Sequence, residues 1–411
     1  MNDLSIYIHI PFCVRKCLYC DFLSFPPAAD MADGREKQSG PETRGNVLSE
    51  PADERMISYV NLLKKEIIGA APQYKKYHVL SIFFGGGTPS LLPNGEVSRI
   101  METIRAFYRV TEDAEITIEI NPETVTEDKL REYITSGINR ISIGLQSADD
   151  DELERIGRIH DYRTFERAYE LAGKVGFRNI NIDLMASLPE QSIDSYKRTL
   201  ESVVRLAPEH ISAYSLTLEE GTPLHKRQAE YRFPSEEEDR EMYRLTGEYL
   251  ASCGYHRYEI SNYARDGYEC RHNKVYWQRG NYVGFGLGAA SMVENVRWSG
   301  PGDMKQYRNY VEKLSASGGA TDGDMTGRQT LTVHEQMEEY MFLGLRMMCG
   351  VGAREFEDEF GQPMETVYGE VIERMCRQGL LVRERGHIRL SGRGIDVSNY
   401  VMAQFLFDEI E

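Results

Sequence analysis

The sequence predicts an α/β fold: an open, partial (β/α)6 barrel followed by a mostly helical, winged-helix-like accessory domain. Three observations carry this. Between residues 5 and 217 short β-rich runs alternate with longer stretches of helical spacing, which indicates a parallel sheet with helices outside. Six such units are fewer than a closed barrel needs. Beyond residue 331 helical spacing dominates until the hairpin-like run "LLVRERGHIRLS".

The β-rich runs are, in order, "SIYIHI", "VLSIFF", "EITIEI", "RISIGL", "NINIDLM" and "HISAYSLTL". Helical spacing falls at 95–108, 125–136, 162–175 and 193–206. Polar residues and glycines follow the runs. A cysteine loop follows the first, "GGGTP" the second, "NPE" the third and "QS" the fourth, and Asp183 is expected at the end of the fifth. Strand C-termini form the active-site face of a barrel. The barrel is assigned to residues 1–225, with a flexible Pro/Gly/Ser-rich loop at about 24–55. A linking α/β region spans 226–330 and the accessory domain 331–411. "PSEEEDREMYRLTGEYLASCG" opens on a capping box, Ser235 to Glu238, and closes at Gly254. Met337, Met341, Leu345 and Met348 share one helix face and read as core, as do Cys349 and Cys376.

A net charge of −17 excludes a nonspecific nucleic-acid binder, which needs a basic face. No apolar run approaches the roughly 20 residues of a membrane span. "MNDLSIYIHI" reads as a strand and not as a signal peptide, so a cytoplasmic location with reduced thiols is expected.

Cys13, Cys17 and Cys20 are spaced C-x3-C-x2-C. A zinc site needs a fourth ligand, for which His9 is the candidate. A disulfide would leave one thiol over. Three thiolates on a four-iron cluster would leave one iron open to a chelating small molecule. "GGGTP" lacks the following Gly-Lys-Ser/Thr of a phosphate loop, but its backbone N–H groups are free to approach a ligand.

The cysteine loop resembles that of the radical S-adenosylmethionine superfamily. "YIHIPFC", "GGGTPS", "NRISIGLQS", "GRIH", "NIDLMASLPEQ", "RHNKVYWQRGNYVGFGLGA" and "LSGRGIDVSNYVMAQFL" are similar to its anaerobic coproporphyrinogen oxidase-like branch. The resemblance implies a [4Fe-4S] cluster on Cys13, Cys17 and Cys20, with S-adenosylmethionine on the open iron. It implies that Gly86, Gly87 and Thr88 hold the amino end of that cofactor. Glu119 would accept from a ribose hydroxyl or an amino group. Gln146, Arg158 and Asp183 would supply a bidentate amide, a carboxylate partner and a second acceptor, with Thr217 beside them. Tyr7, Tyr19 and Phe22 would stack on the adenine.

Two members of the branch need separating. The oxidative decarboxylase of coproporphyrinogen III carries a further cysteine where this chain has Phe22, and a covering segment before the loop. The heme chaperone carries Asp-Phe there and an HNxxYW motif, present as His272, Asn273, Tyr276 and Trp277. The resemblance implies heme bound at these residues, with His272 as axial ligand and Cys270 as second candidate. Heme and a hemoprotein acceptor are the expected partners, with membrane association and a homodimer left open. No catalytic residue is assigned, and whether the chain is an enzyme is left open. A radical methyltransferase is the remaining alternative. Departures from the branch pattern are the long 24–54 segment, Ala290 in place of His and Ser187 in place of Gly.

Overall fold

Successive residues of a strand face opposite sides, so each β-rich run builds two surfaces at once. In the computed structural model, which describes residues 2–27, 52–317 and 326–407, the runs form a parallel array. Its strands are β1 (Asn2–Ile10), β2 (Tyr77–Gly86), β3 (Arg109–Ile120), β4 (Arg140–Gln146), β5 (Ile180–Ala186) and β6 (His210–Ser215), each paired to the next. Residues such as Ile8, Ile82, Ile118, Ile143, Ile182 and Ile211 are fully buried beneath the helices. The other face carries Ser5, Ser81, Ser142, Asn181 and His210, which bond to one another across strands. This layer of the barrel interior is therefore polar.

The covering helices are α1 (Ala52–Ala70), α2 (Glu96–Phe107), α3 (Glu127–Thr135), the short α4 (Asp150–Arg155), α5 (Tyr162–Val175) and α6 (Ile193–Leu206). Thr126, Asp161 and Ser192 cap α3, α5 and α6 through side-chain oxygens, which is why these helices start where the spacing places them. Of the expected 24–55 loop, residues 28–51 lie outside the described residues, and 52–55 already belong to α1.

The 226–330 region extends both edges of the same sheet. A short helix α7 (Pro223–Lys226) leads to α8 (Glu236–Ser252), whose Ser235–Glu238 capping box forms as expected. Then come β7 (His256–Glu259), β8 (Asn262–Ala264), α9 (Arg271–Trp277), β9 (Tyr282–Phe285), β10 (Ala290–Val293), β11 (Val296–Ser299), α10 (Met304–Ser317) and β12 (Thr326–Thr330). The strand order is β12-β11-β10-β9-β1-β2-β3-β4-β5-β6-β8-β7. β9 runs parallel to β1, and β8 runs antiparallel to β6.

The C-terminal region alternates α11 (Val333–Gly344), β13 (Val351–Gly352), α12 (Ala353–Phe360), α13 (Met364–Arg377), β14 (Leu381–Glu384) and β15 (His387–Leu390). The sheet order β13-β15-β14 beside these helices is a winged-helix arrangement. Two small helices close it, α14 (Gly392–Asp396) and α15 (Ser398–Ala403). Met337, Met341 and Leu345 enter its core with Phe356 and Ile372, while Met348 lies outside it, half-buried. Cys376 packs against this core, but Cys349 is exposed, because it sits in the turn after α11 and not on the helix.

Candidate functional site

Beyond Ile10 the chain folds back on itself. The Phe25 N–H donates to Pro11 O at 2.9 Å and the Cys13 N–H to Phe25 O at 3.1 Å, which closes residues 13–24 into a loop at the C-terminal end of β1. Leu18 N–H donates to Ile156 O at 3.0 Å, and Leu224 N–H donates to Leu18 O at 2.8 Å. The Arg15 guanidinium donates to Gly157 O at 2.9 Å. The loop is thus pinned from three sides.

Cys13, Cys17 and Cys20 are all free thiols. His9, the candidate fourth ligand for zinc, uses Nε2 on Leu23 O at 2.9 Å and Nδ1 on Tyr7 OH at 3.2 Å. Nε2 holds the loop and Nδ1 is bonded to Tyr7 on β1, so His9 is no fourth ligand in this arrangement. Among the described residues no three His, Cys, Asp or Glu side chains converge as one metal ion requires. A four-iron cube spaces its thiolates more widely than a single ion does.

The donors around the loop suit thiolates. The Thr88 hydroxyl donates to Cys13 Sγ at 3.6 Å and Arg158 Nη1 to Cys17 Sγ at 3.6 Å. Arg158 Nη2 donates to Asn121 Oδ1 at 3.0 Å and to Gly144 O at 2.8 Å. Its Nε is buried without a partner. A buried guanidinium N–H left unmatched fits an incoming carboxylate. Tyr19 packs beside the loop against the cluster of Ile156, Met185 and Leu188, an apolar wall that Leu216 also borders. Burial pushes the Cys13 and Cys20 thiols up, and Thr88 opposes this at Cys13. These residues fit a four-iron cluster with a chelating ligand.

The glycines of "GGGTP" let β2 approach β1. At Gly87 a Cβ would lie 2.6 Å from Phe12 O, and at Gly86, with φ +109°, it would lie 2.5 Å from the His9 ring. Gly87 N–H donates to Ile10 O at 2.8 Å and Thr88 N–H to Phe12 O at 2.7 Å. These two N–H groups are spent on the end of β1 and the segment leading into the cysteine loop, and Gly86 N–H donates to Glu119 Oε2 at 3.2 Å. The N–H groups of Gly86, Gly87 and Thr88 are therefore all bonded within the protein, contrary to the expectation that they are free to approach a ligand. Burial, with Asp183 nearby, pushes Glu119 up to about 8. Tyr7 lies beside it, its ring 6.4 Å from that of Phe83.

Gln146 ends β4 buried, in the left-handed conformation at φ +76°. Ser187, where the branch pattern has Gly, takes φ +60°, the conformation Gly adopts without strain. Three expectations shift. Asp183 lies in the middle of β5 and not at its end. It accepts from Ser142 Oγ at 3.0 Å and Asn181 Nδ2 at 2.8 Å. Thr217 lies past the end of β6, exposed. Phe22 is 68% exposed, because the loop turns it outward.

The HNxxYW motif occupies the other end of the barrel. His272 stacks on Phe83 at 5.1 Å, Nδ1 bonds Ser81 Oγ at 2.9 Å and Nε2 bonds Tyr276 OH at 2.8 Å. It is buried, and burial and Arg140 hold its pKa down at about 3. The Cys270 thiol is also buried, donates to Glu115 Oε1 at 3.4 Å and is pushed up to about 12, chiefly by burial. Neither candidate axial ligand has an open coordination position, because both are tied into the barrel floor. Trp277 lies at the junction with the C-terminal region, with the Arg346 guanidinium 4.1 Å from its ring centroid. Asn273, on the same helix, is half-buried.

Sequence reasoning passed over Asn121, Glu115 and Arg140. "NPE" marked the place of Asn121, and a charged residue opening a wholly buried strand would have marked Arg140.

Residues 7–203 match the Radical SAM superfamily, and residues 331–397 match the HemN C-terminal domain. "Heme chaperone HemW" of Bacillus subtilis is 32% identical over 98% of this chain and 99% of its own. The protein of the same name from Escherichia coli is 38% identical over 71% of each chain. The Escherichia coli coproporphyrinogen III oxidase HemN structure, a radical SAM enzyme, is similar with a TM-score of 0.79 at 22% identity, covering 98% of this chain and 90% of that one. That likeness shows the fold alone. The chain belongs to the radical S-adenosylmethionine superfamily and, within it, to the HemW family.

Proposed function

We propose that this chain binds heme and passes it to a hemoprotein acceptor, on a scaffold that holds a [4Fe-4S] cluster and S-adenosylmethionine. The observation that carries the scaffold is the pinned loop with three free thiols, two of which receive hydrogen bonds. The names of the full-length relatives carry the heme reading. Cys13, Cys17 and Cys20 hold the cluster. Arg158 Nε and the Gly86–Thr88 turn receive the cofactor's carboxylate and amino ends, with Glu119, Gln146 and Asp183 beneath. Tyr7 and Tyr19 border it. When bound, a site-open cluster chelating this cofactor supplies one-electron chemistry at the open iron. The chain's own residues orient the ligand and donate to the thiolates.

The second reading is the coproporphyrinogen decarboxylase, favoured by the similar fold. An outward-facing Phe22 supplies no fourth thiolate, which favours the chaperone. Acceptor binding at a membrane and homodimer formation remain proposals. No helix among the described residues is long and apolar enough to cross a membrane. The deciding experiment is anaerobic reconstitution, followed by heme titration and, separately, incubation with coproporphyrinogen III, reductant and S-adenosylmethionine. Stoichiometric heme binding without protoporphyrinogen is expected. Several turnovers of protoporphyrinogen would promote the decarboxylase.

A further inference from the structure

We propose that Asn121 is a positioning residue that orients both thiolate donors of the cysteine loop and thereby raises the reduction potential of the cluster. The inference rests on the assignment of Cys13 and Cys17 as cluster ligands.

Asn121 touches neither thiol. It stands between the two groups that do, with Nδ2 2.9 Å from Thr88 Oγ1 and Oδ1 3.0 Å from Arg158 Nη2. Amide orientation is normally ambiguous, but here the network settles it. A guanidinium has only donors, so the amide oxygen must face Arg158. The amide NH2 then faces Thr88. With its oxygen accepting from Asn121, the Thr88 hydroxyl directs its own proton to Cys13 Sγ, 3.6 Å away. On the other arm, Asn121 and Gly144 O together fix the plane of the guanidinium, which aims Nη1 at Cys17 Sγ. A single side chain thus sets the direction of two hydrogen bonds to two sulfurs on different turns of the loop.

The backbone of Asn121 is anchored independently. Its N–H donates to Ser90 Oγ at 3.1 Å, and its carbonyl accepts from Thr124 N at 3.0 Å and Thr124 Oγ1 at 2.9 Å. A side-chain substitution therefore leaves the turn after β3 in place. Hydrogen bonds to the sulfurs of an iron–sulfur cluster tune its potential, and they stabilise the more negative, reduced form.

The test uses the full chain, reconstituted anaerobically, with iron and sulfide content measured before a dye-mediated titration followed by electron paramagnetic resonance of the reduced cluster. Asn121→Leu is expected to keep its iron and titrate at a lower potential than wild type, with a larger shift than Thr88→Val. Adding Thr88→Val to Asn121→Leu is expected to change little further. A wild-type potential in Asn121→Leu at equal iron content overturns the proposal, and so does full additivity of the two shifts. If Asn121→Leu does not hold its iron, Asn121→Asp takes its place. It keeps the acceptor for Arg158 and turns the Thr88 proton to its own carboxylate. Thr88→Val should then cause no further shift in that background, and a full Thr88→Val shift overturns the proposal. Failure of the cluster assignment is read separately, as full iron content in Cys17→Ser.

Discussion

The backbone N–H of His272 donates to Glu115 Oε1 at 3.0 Å, and the N–H of Arg271 donates to Oε2 of the same carboxylate at 3.0 Å. Glu115 rises from β3 into the barrel and takes the first free N–H groups of α9, where a negative charge is favoured. The motif read in the sequence as a heme site is thus held as a plug in the barrel floor. Ser81 links it onward to Ser5 on β1. The layer of Tyr7, Phe83 and Thr117 separates it from Glu119.

His272→Gln should change pH dependence more than heme ligation. The folded pKa of about 3 lies below the ordinary value of 6.5. The unfolded chain therefore takes up the proton first as pH falls, and this group costs stability from pH 6.5 downward, by up to roughly 1.4 kcal/mol per unit. Denaturant unfolding between pH 7 and pH 5 should show wild type losing more stability than His272→Gln. The heme absorption spectrum of the variant should match wild type. A changed axial-ligand band would mean that the floor opens and His272 reaches iron.

Cys17→Ser should lose the cluster. Iron and sulfide are measured after reconstitution, and wild-type content in the variant would remove Cys17 from the ligand set.

Arg158→Ala removes a buried guanidinium with one unmatched N–H. Losing one side of a buried charged pair costs on the order of 2–5 kcal/mol, so affinity for S-adenosylmethionine should fall more than tenfold. Asp183→Ala is expected to weaken binding as well, through the Ser142 and Asn181 network that holds its carboxylate. Equilibrium dialysis at equal iron content checks both, and unchanged affinity in both takes these residues out of the site.

Arg346→Ala should destabilise the junction between the sheet and the C-terminal region. Arg346 lies over Trp277 and 3.6 Å from Glu259, which is fully buried. Leaving that carboxylate unpaired costs roughly 3–5 kcal/mol. Glu259→Gln in the same chain should recover much of the loss, and equal unfolding free energies for the single and double variants would contradict the pairing.

Much of the barrel was legible because its signals are local. Alternation marked all six parallel strands, helical spacing placed α3, α5 and α6 within a residue or two, and a capping box placed the start of α8. The cysteine spacing marked the loop, since ligands within one loop must be close in sequence. Asn121 was not legible in this way. Its role exists only where the turns after β2 and β3 meet the segment after α4.

The sequence by itself determined the period of each element, the cysteine loop and the order of strand ends that carry polar residues and glycines. These follow from backbone geometry and short-range spacing. The tertiary structure alone decided which side chains share a layer. It placed Asp183 in the middle of β5, turned Phe22 outward and put His272 in the floor, its two nitrogens bonded to Ser81 and Tyr276. Whether an imidazole is a free base or a buried linker depends on partners that lie 191 residues away and 4 residues away. Residue type and spacing do not encode that choice. It is made when a polar layer of the barrel interior has to match every buried donor with an acceptor.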